Sequence, residues 1–253
     1  MKGRRGLFGC VQGMAGVSLV ELLIGLAAGS LVMAATMQTL VHLEHRFGAQ
    51  QDTMAQHQEL RIGLSVLESE LRLAGSGAAP TAAAVTKSTA DEVEFLANLA
   101  GAVTVLTSAA SAGETTLAVR SGLGWPKGKR VLICDQTRCE EGRLSRDGKT
   151  SQLALATPLA SALPAGAVVS LSNTVRYYVK PDGAGSSQLM RQVDGGAGSL
   201  IGNVSHFRLK YLTATGQPTA DPRRVSRIAV DLAVGRDREP VSTLVGLPVR
   251  RTA

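Results

Sequence analysis

Aromatic residues make up only 3% of this 253-residue chain, with a single tryptophan. Any core must therefore rest on Leu, Val, Ala and Ile, and the 44% apolar content is enough to build one. Cysteine is scarce too. Cys10 lies near the N-terminus, and Cys134 and Cys139 are separated by four residues. That spacing is neither a CxxC nor half of a complete zinc site, since no second pair exists. The chain has no nucleophile elbow and no zinc-protease motif. Gly122–Arg130 has glycines like those of a phosphate loop, but the spacing is wrong, Pro126 interrupts it, and Arg130 stands where Ser or Thr is required. It reads as a turn before a strand. No residue pattern calls for a metal or a cofactor, and we expect the chain not to be an enzyme.

Acids are missing from the first 16 residues, which carry Lys2, Arg4 and Arg5. Removing that piece would lower the formal net charge from +7 to +4. A balance of +4 spread over the remainder does not select nucleic acid as a partner. The densest patches, Arg223, Arg224 and Arg227, then Arg250 and Arg251, read as solvated surface. The alternative is a head that binds DNA.

The first 43 residues decide the class. From Gly6 to Leu43 the one formal charge is Glu21, and the 22 residues Leu22–Leu43 have none. About 20 apolar residues span a bilayer as a helix. All positive charge lies before the span, so the N-terminus is expected in the cytoplasm and everything after residue 43 outside it. A secretory signal peptide cut after Val32-Met33-Ala34, before Ala35, is one reading. Glu21 argues against it, because a carboxylate near the centre of an inserting helix costs about 2.5–3.5 kcal/mol, and less toward its end. An acid within a membrane span points to function and to a partner.

The run Gly16-Val17-Ser18-Leu19-Val20-Glu21-Leu22-Leu23-Ile24-Gly25 resembles the type IV prepilin signature. The resemblance implies cleavage after Gly16 by a prepilin peptidase and methylation of the new N-terminal amine at Val17. It makes Glu21 the assembly acid, paired with the amine of a neighbouring subunit. An amine and a carboxylate buried in an apolar bundle should pair, since either alone is costly. The family usually has Phe or Met after the cut, where this chain has Val17. Gly25 and Gly29 form a GxxxG, either a close-approach point for a second helix or ordinary small-residue content.

The helix is expected to continue past the membrane. His42–Ala74 contains no proline, and Leu60, Leu64, Leu67, Leu71 and Ala74 recur at helical steps. Glu59, Arg61, Glu68, Glu70 and Arg72 fall off that stripe, and Gly48 and Gly63 are expected weak points. Gly75-Ser76-Gly77 and Pro80 supply the stop. Residues 17–74 would make a helix of about 87 Å. His42 and His45 read as polar residues at the membrane exit. Beyond residue 80 the chain reads as β-rich. Expected strands are Glu92–Leu96, Thr115–Arg120, Arg130–Cys134, Gln152–Ala156, Val168–Leu171, Thr174–Val179, Ser205–Leu212 and Val225–Val234. In Ser205–Leu212, Phe207, Leu209 and Tyr211 alternate with polar His206, Arg208 and Lys210. Gly183–Ser187 and Gly195–Ser199 read as loops.

The expected organisation is α+β and pilin-like, with a long N-terminal helix packed on an antiparallel β head. It divides into a leader (1–16), a transmembrane segment (17–43), an amphipathic segment with its exit loop (44–79) and an extracytoplasmic head (80–253). The rhythm Val175–Val179, Leu189–Arg191 and Val204–Tyr211 resembles PilW-type minor pilins, and type II secretion pseudopilins of the GspJ kind share it. The resemblance implies a subunit that initiates or completes a pilus fibre, with other pilins, the peptidase and an inner-membrane assembly platform as partners. A tip adhesin or DNA-capturing module is the alternative from another class. With both residues outside the cytoplasm and Asp135–Arg138 as a polar loop after Arg130–Cys134, a disulfide between Cys134 and Cys139 is expected, against a pair of free thiols. The adjacent acids Asp135, Glu140 and Glu141 read as turn residues, with calcium the alternative.

Overall fold

The computed structural model describes residues 18–183, 186–235 and 239–248. Gly16, Val17, Cys10, Arg250, Arg251, the middle of the Gly183–Ser187 loop and the side chain of His45 lie outside the described residues. Among the described residues one α-helix, α1 (Leu19–Leu71), precedes twelve strands. These are β1 (Val85–Ser88), β2 (Glu92–Ala97), β3 (Val103–Val105), β4 (Thr116–Ala118), β5 (Arg130–Cys134) and β6 (Cys139–Arg143), followed by β7 (Gln152–Ala154), β8 (Val168–Pro181), β9 (Ser187–Val193), β10 (Gly196–Leu212), β11 (Arg227–Val234) and β12 (Val241–Gly246). The chain divides into two compact units, residues 1–55 and 56–253. The layout is α+β, with a long apolar N-terminal helix and an antiparallel sheet after it.

In the second unit the main sheet runs β1-β2-β8-β9-β10-β11-β12, antiparallel at every step. The end of α1 lies on it. Leu60, Leu64, Leu67 and Leu71 are buried against Phe95, Tyr177, Leu189, Ile201, Ile228 and Val230. Burying each leucine contributes roughly 1.5–3 kcal/mol. The chain leaves the helix where the glycines predict. Gly75 has φ 89° and turns its N–H to Leu96 O at 2.6 Å. A Cβ on Gly77 would lie 2.8 Å from the Ala97 carbonyl carbon, so only glycine fits there.

Two expectations for this helix are corrected. Gly63 is no weak point: it is buried mid-helix where backbone and sheet approach closely, and a Cβ there would sit 2.5 Å from Ile201 Cδ1 and closer still to Cγ1. The acids off the leucine stripe do not all face away. Glu59 accepts Gly202 N–H at 2.8 Å, Glu68 accepts the Thr243 hydroxyl at 2.7 Å, and Glu70 is buried. The sheet wraps more of the helix than a one-stripe pattern implies.

β8 joins two cores. Its second half pairs with β2 and β9 in the main sheet, and its first half, Val168–Ser172, pairs with β5 and β3. The segment between β2 and β8 folds on itself. β5 pairs with β6, and the Leu144–Leu155 bridge joins β6 to β7. β7 pairs with β4, and the Leu106–Val119 bridge returns from β4 to β3. These contacts close a six-stranded barrel. Leu106, Leu117, Val131, Ile133, Leu153 and Trp125 fill it, forming a core separate from the helix-facing one. Closure leaves the barrel without an unpaired edge.

The expected strands Val168–Leu171 and Thr174–Val179 form one continuous strand. Gly195–Ser199 is not a loop. The turn is confined to Asp194 and Gly195, both with positive φ, and Gly196–Ser199 already pairs with Val193–Met190. Two left-handed residues are what a tight hairpin requires.

Candidate functional site

The first unit presents its apolar helix without cover. Leu22, Leu23, Ile24, Leu26, Leu31, Val32 and Met33 are all exposed, and the helix is long and apolar enough to cross a membrane. Ser18 starts it, its carbonyl accepting the N–H groups of Glu21 and Leu22 at 2.9 and 3.1 Å. The hydroxyls of Ser30, Thr36 and Thr39 donate back to the carbonyls of Ala27, Val32 and Ala35. Polar groups satisfied within their own helix remain tolerable in hydrocarbon. Gly25 and Gly29 have open space where a side chain would be.

Glu21 is different. It is the only charged residue of Ser18–Leu43, it sits in the first helical turn, and it is exposed. A carboxylate in the first turn is favoured by the helix dipole, by about 0.3–1 kcal/mol. That is too little to balance the cost of a charge in an apolar bundle. Among the described residues no side chain pairs with Glu21. The other two residues of the expected processing site, Gly16 and Val17, lie outside the described residues.

In the second unit Cys134 and Cys139 are joined by a disulfide, with Cα atoms 4.1 Å apart. They are register partners at the end of the β5–β6 hairpin. Asp135 organises the four-residue loop, accepting the Thr137 N–H at 2.6 Å, its hydroxyl at 2.8 Å and the Arg138 N–H at 2.7 Å. These bonds hold its carboxyl below the ordinary range. Arg138 donates to Ala162 O, and the Glu140 carboxylate accepts the N–H groups of Ala160 and Ser161. Glu141 faces Arg130 at 3.9 Å. The three acids beside the cysteines therefore serve different partners. Among the described residues, no three His, Cys, Asp or Glu side chains converge as metal ligands.

No local pattern of residues marks the network that fixes the helix to the sheet. Glu70 is 8% exposed, and Arg191 of β9 grips its carboxylate through Nη2 and through Nε at 3.0 and 3.1 Å. The Tyr177 hydroxyl of β8 donates to the same carboxylate. Burial, then the neighbouring Glu70, pushes the Tyr177 hydroxyl well above its ordinary value. The bond to Glu70 likewise raises Arg191. A second bridge ties the barrel to the main sheet: Asp194 accepts from Lys129 Nζ at 2.5 Å, Asn173 Nδ2 at 2.8 Å and Thr174 N at 2.9 Å. Residues 122–129 form the turns that lead into β5, and Gly122 N–H donates to Thr150 O at 3.1 Å.

No protein-family model matches the chain, and no curated protein matches it.

Proposed function

We propose that this chain is a minor pilin-like assembly subunit rather than an enzyme. In this reading a prepilin peptidase removes residues 1–16, Val17 becomes a methylated N-terminus, and α1 enters a helical bundle of pilins built on an inner-membrane platform. The head lies in the periplasm and later on the fibre. One observation carries the reading: a helix long and apolar enough to span a membrane carries a single acid over residues 18–43, Glu21, exposed in its first turn and without a partner among the described residues. The amine of a neighbouring subunit supplies the missing charge, and pairing then occurs only on assembly. The disulfide of the head adds support, since such bonds persist outside the cytoplasm.

Glu21→Ala tests the reading. Removing the carboxylate makes insertion easier, so the variant should accumulate in membranes while vanishing from the sheared-fibre fraction. Normal incorporation of Glu21→Ala into fibres would remove the proposed role.

A further inference from the structure

The two edges of the main sheet are not equivalent. β1 has only four residues, a bulge between Val85 and Lys87, and a lysine bound to Glu92 at 2.8 Å. Shortness, a bulge and a charge are the usual devices that keep a second strand from adding. β12 has none of them. Val241-Ser-Thr-Leu-Val-Gly246 has no charge and no proline, and Val241 and Leu244 are 45% and 55% exposed. Among the described residues no strand lies beyond it.

This edge is rigid as well as open. Thr243 is bonded to Glu68 of α1, Ser242 donates to Asp231 at 2.6 Å, and Val245 is fully buried. The bond from Leu247 N to Ser226 O sets the ladder's phase. Alternate residues then point inward, and Ser242, Leu244 and Gly246 direct their N–H and C=O groups away from β11. Pro240 and Pro248, which have no N–H, bound the open stretch.

We propose that β12 is a docking edge where a second copy of this chain adds its own β12, antiparallel. With β1 blocked, β12 cannot pair with β1 of the next copy, so association through the sheet can only be like-to-like and closes at two. The strand complements itself. Centred on Leu244, the pairing sets Leu244 against Leu244, Thr243 against Val245 and Ser242 against Gly246, with no charges opposed. The largest exposed side chain of the edge is thereby covered, and cross-strand apolar pairs are the ones that stabilise sheets. This inference stands apart from the role of Glu21, and its failure would leave that role untouched.

The test uses the full chain in detergent. Light scattering should find a dimer of the 26.3 kDa chain. Leu244→Lys, which opposes two ammonium groups, should leave only monomer with an unchanged urea midpoint. In a Cys10→Ser background, Leu244→Cys should form a covalent dimer under mild oxidation, whereas Val103→Cys, equally exposed on the barrel, should not. A dimer that persists in Leu244→Lys, as association through α1 would give, overturns the proposal. So does a monomeric parent chain, or cross-linking of Val103→Cys to the same extent as Leu244→Cys.

Discussion

Gly63→Ala would normally help a helix. In an open helical position the change stabilises by about 0.5–1 kcal/mol, because glycine loses more backbone entropy on folding. Here the new methyl would meet fully buried Ile201 at distances no carbon pair tolerates, with the Leu200 Cγ at 3.5 Å on another side. Overpacking of this kind costs about 1–3 kcal/mol. The steric term wins, and we expect a net loss of about 1–2 kcal/mol. With a urea slope of about 2 kcal/mol per molar, the midpoint should fall by about 0.5–1 M. Pulse proteolysis of the full chain in urea reads this without an optical probe. Ile201→Ala removes both colliding atoms, Cγ1 and Cδ1, and should cost about 2–5 kcal/mol by itself. Combined with Gly63→Ala it should cost clearly less than the sum, since the two residues touch. Gly48→Ala, with nothing within 4 Å, should not lower the midpoint. If Gly63→Ala stabilised the protein, or if the pair were simply additive, the seating of α1 against β10 would be refuted.

Arg191→Ala leaves the buried Glu70 carboxylate without its main partner, and should cost about 2–3 kcal/mol, with Glu70→Gln in the same chain recovering part of it in urea titrations. Acid should weaken the head. The carboxyls of Glu92 (bonded by Arg176), Asp231 (bonded by Ser242, then Lys210) and Asp194 (held low by Lys129 despite burial) all lie below their ordinary 4.5 and 3.8. Groups with depressed folded-state values stabilise above the unfolded value and lose that contribution as pH falls through the folded one. The urea midpoint should therefore drop progressively below about pH 4.5, and a midpoint that rose on acidification would contradict these pairings. Reducing the Cys134–Cys139 bond should cost on the order of 2 kcal/mol or less, because the closed loop is so short. Trp125 fluorescence should stay that of a buried indole in the reduced protein, and a shift to solvent-exposed emission would show the barrel depends on the bond.

Much of the fold was legible because it rests on local patterns. The leucine stripe of α1, the glycine stop at Gly75 and the alternation in β10 and β11 each follow from a periodicity of 3.6 or 2 residues. The β5–β6 hairpin was legible for the same reason, its polar tetrapeptide lying between two cysteines. Four-residue β1 and three-residue β3 are too short to show a period. β12 shows no clean alternation in sequence because polar Thr243 points inward to Glu68 while apolar Leu244 points outward. Barrel closure depends on the single bridges Leu106–Val119 and Leu144–Leu155, and a one-pair bridge leaves no alternating pattern in the sequence. The Glu70–Arg191–Tyr177 network spans 121 residues, and an arginine in a strand carries no local mark of its distant partner. Glu21 was legible for the opposite reason: it stands alone in an apolar run, where one charge is conspicuous.

The intact mass of the protein recovered from native membranes measures directly what its N-terminus becomes. The assembly reading predicts a chain that begins at Val17 and carries one additional methyl group. A chain beginning at Met1 or at Ala35 would contradict it, since Glu21 would then be either five residues behind an uncut leader or lost with a signal peptide.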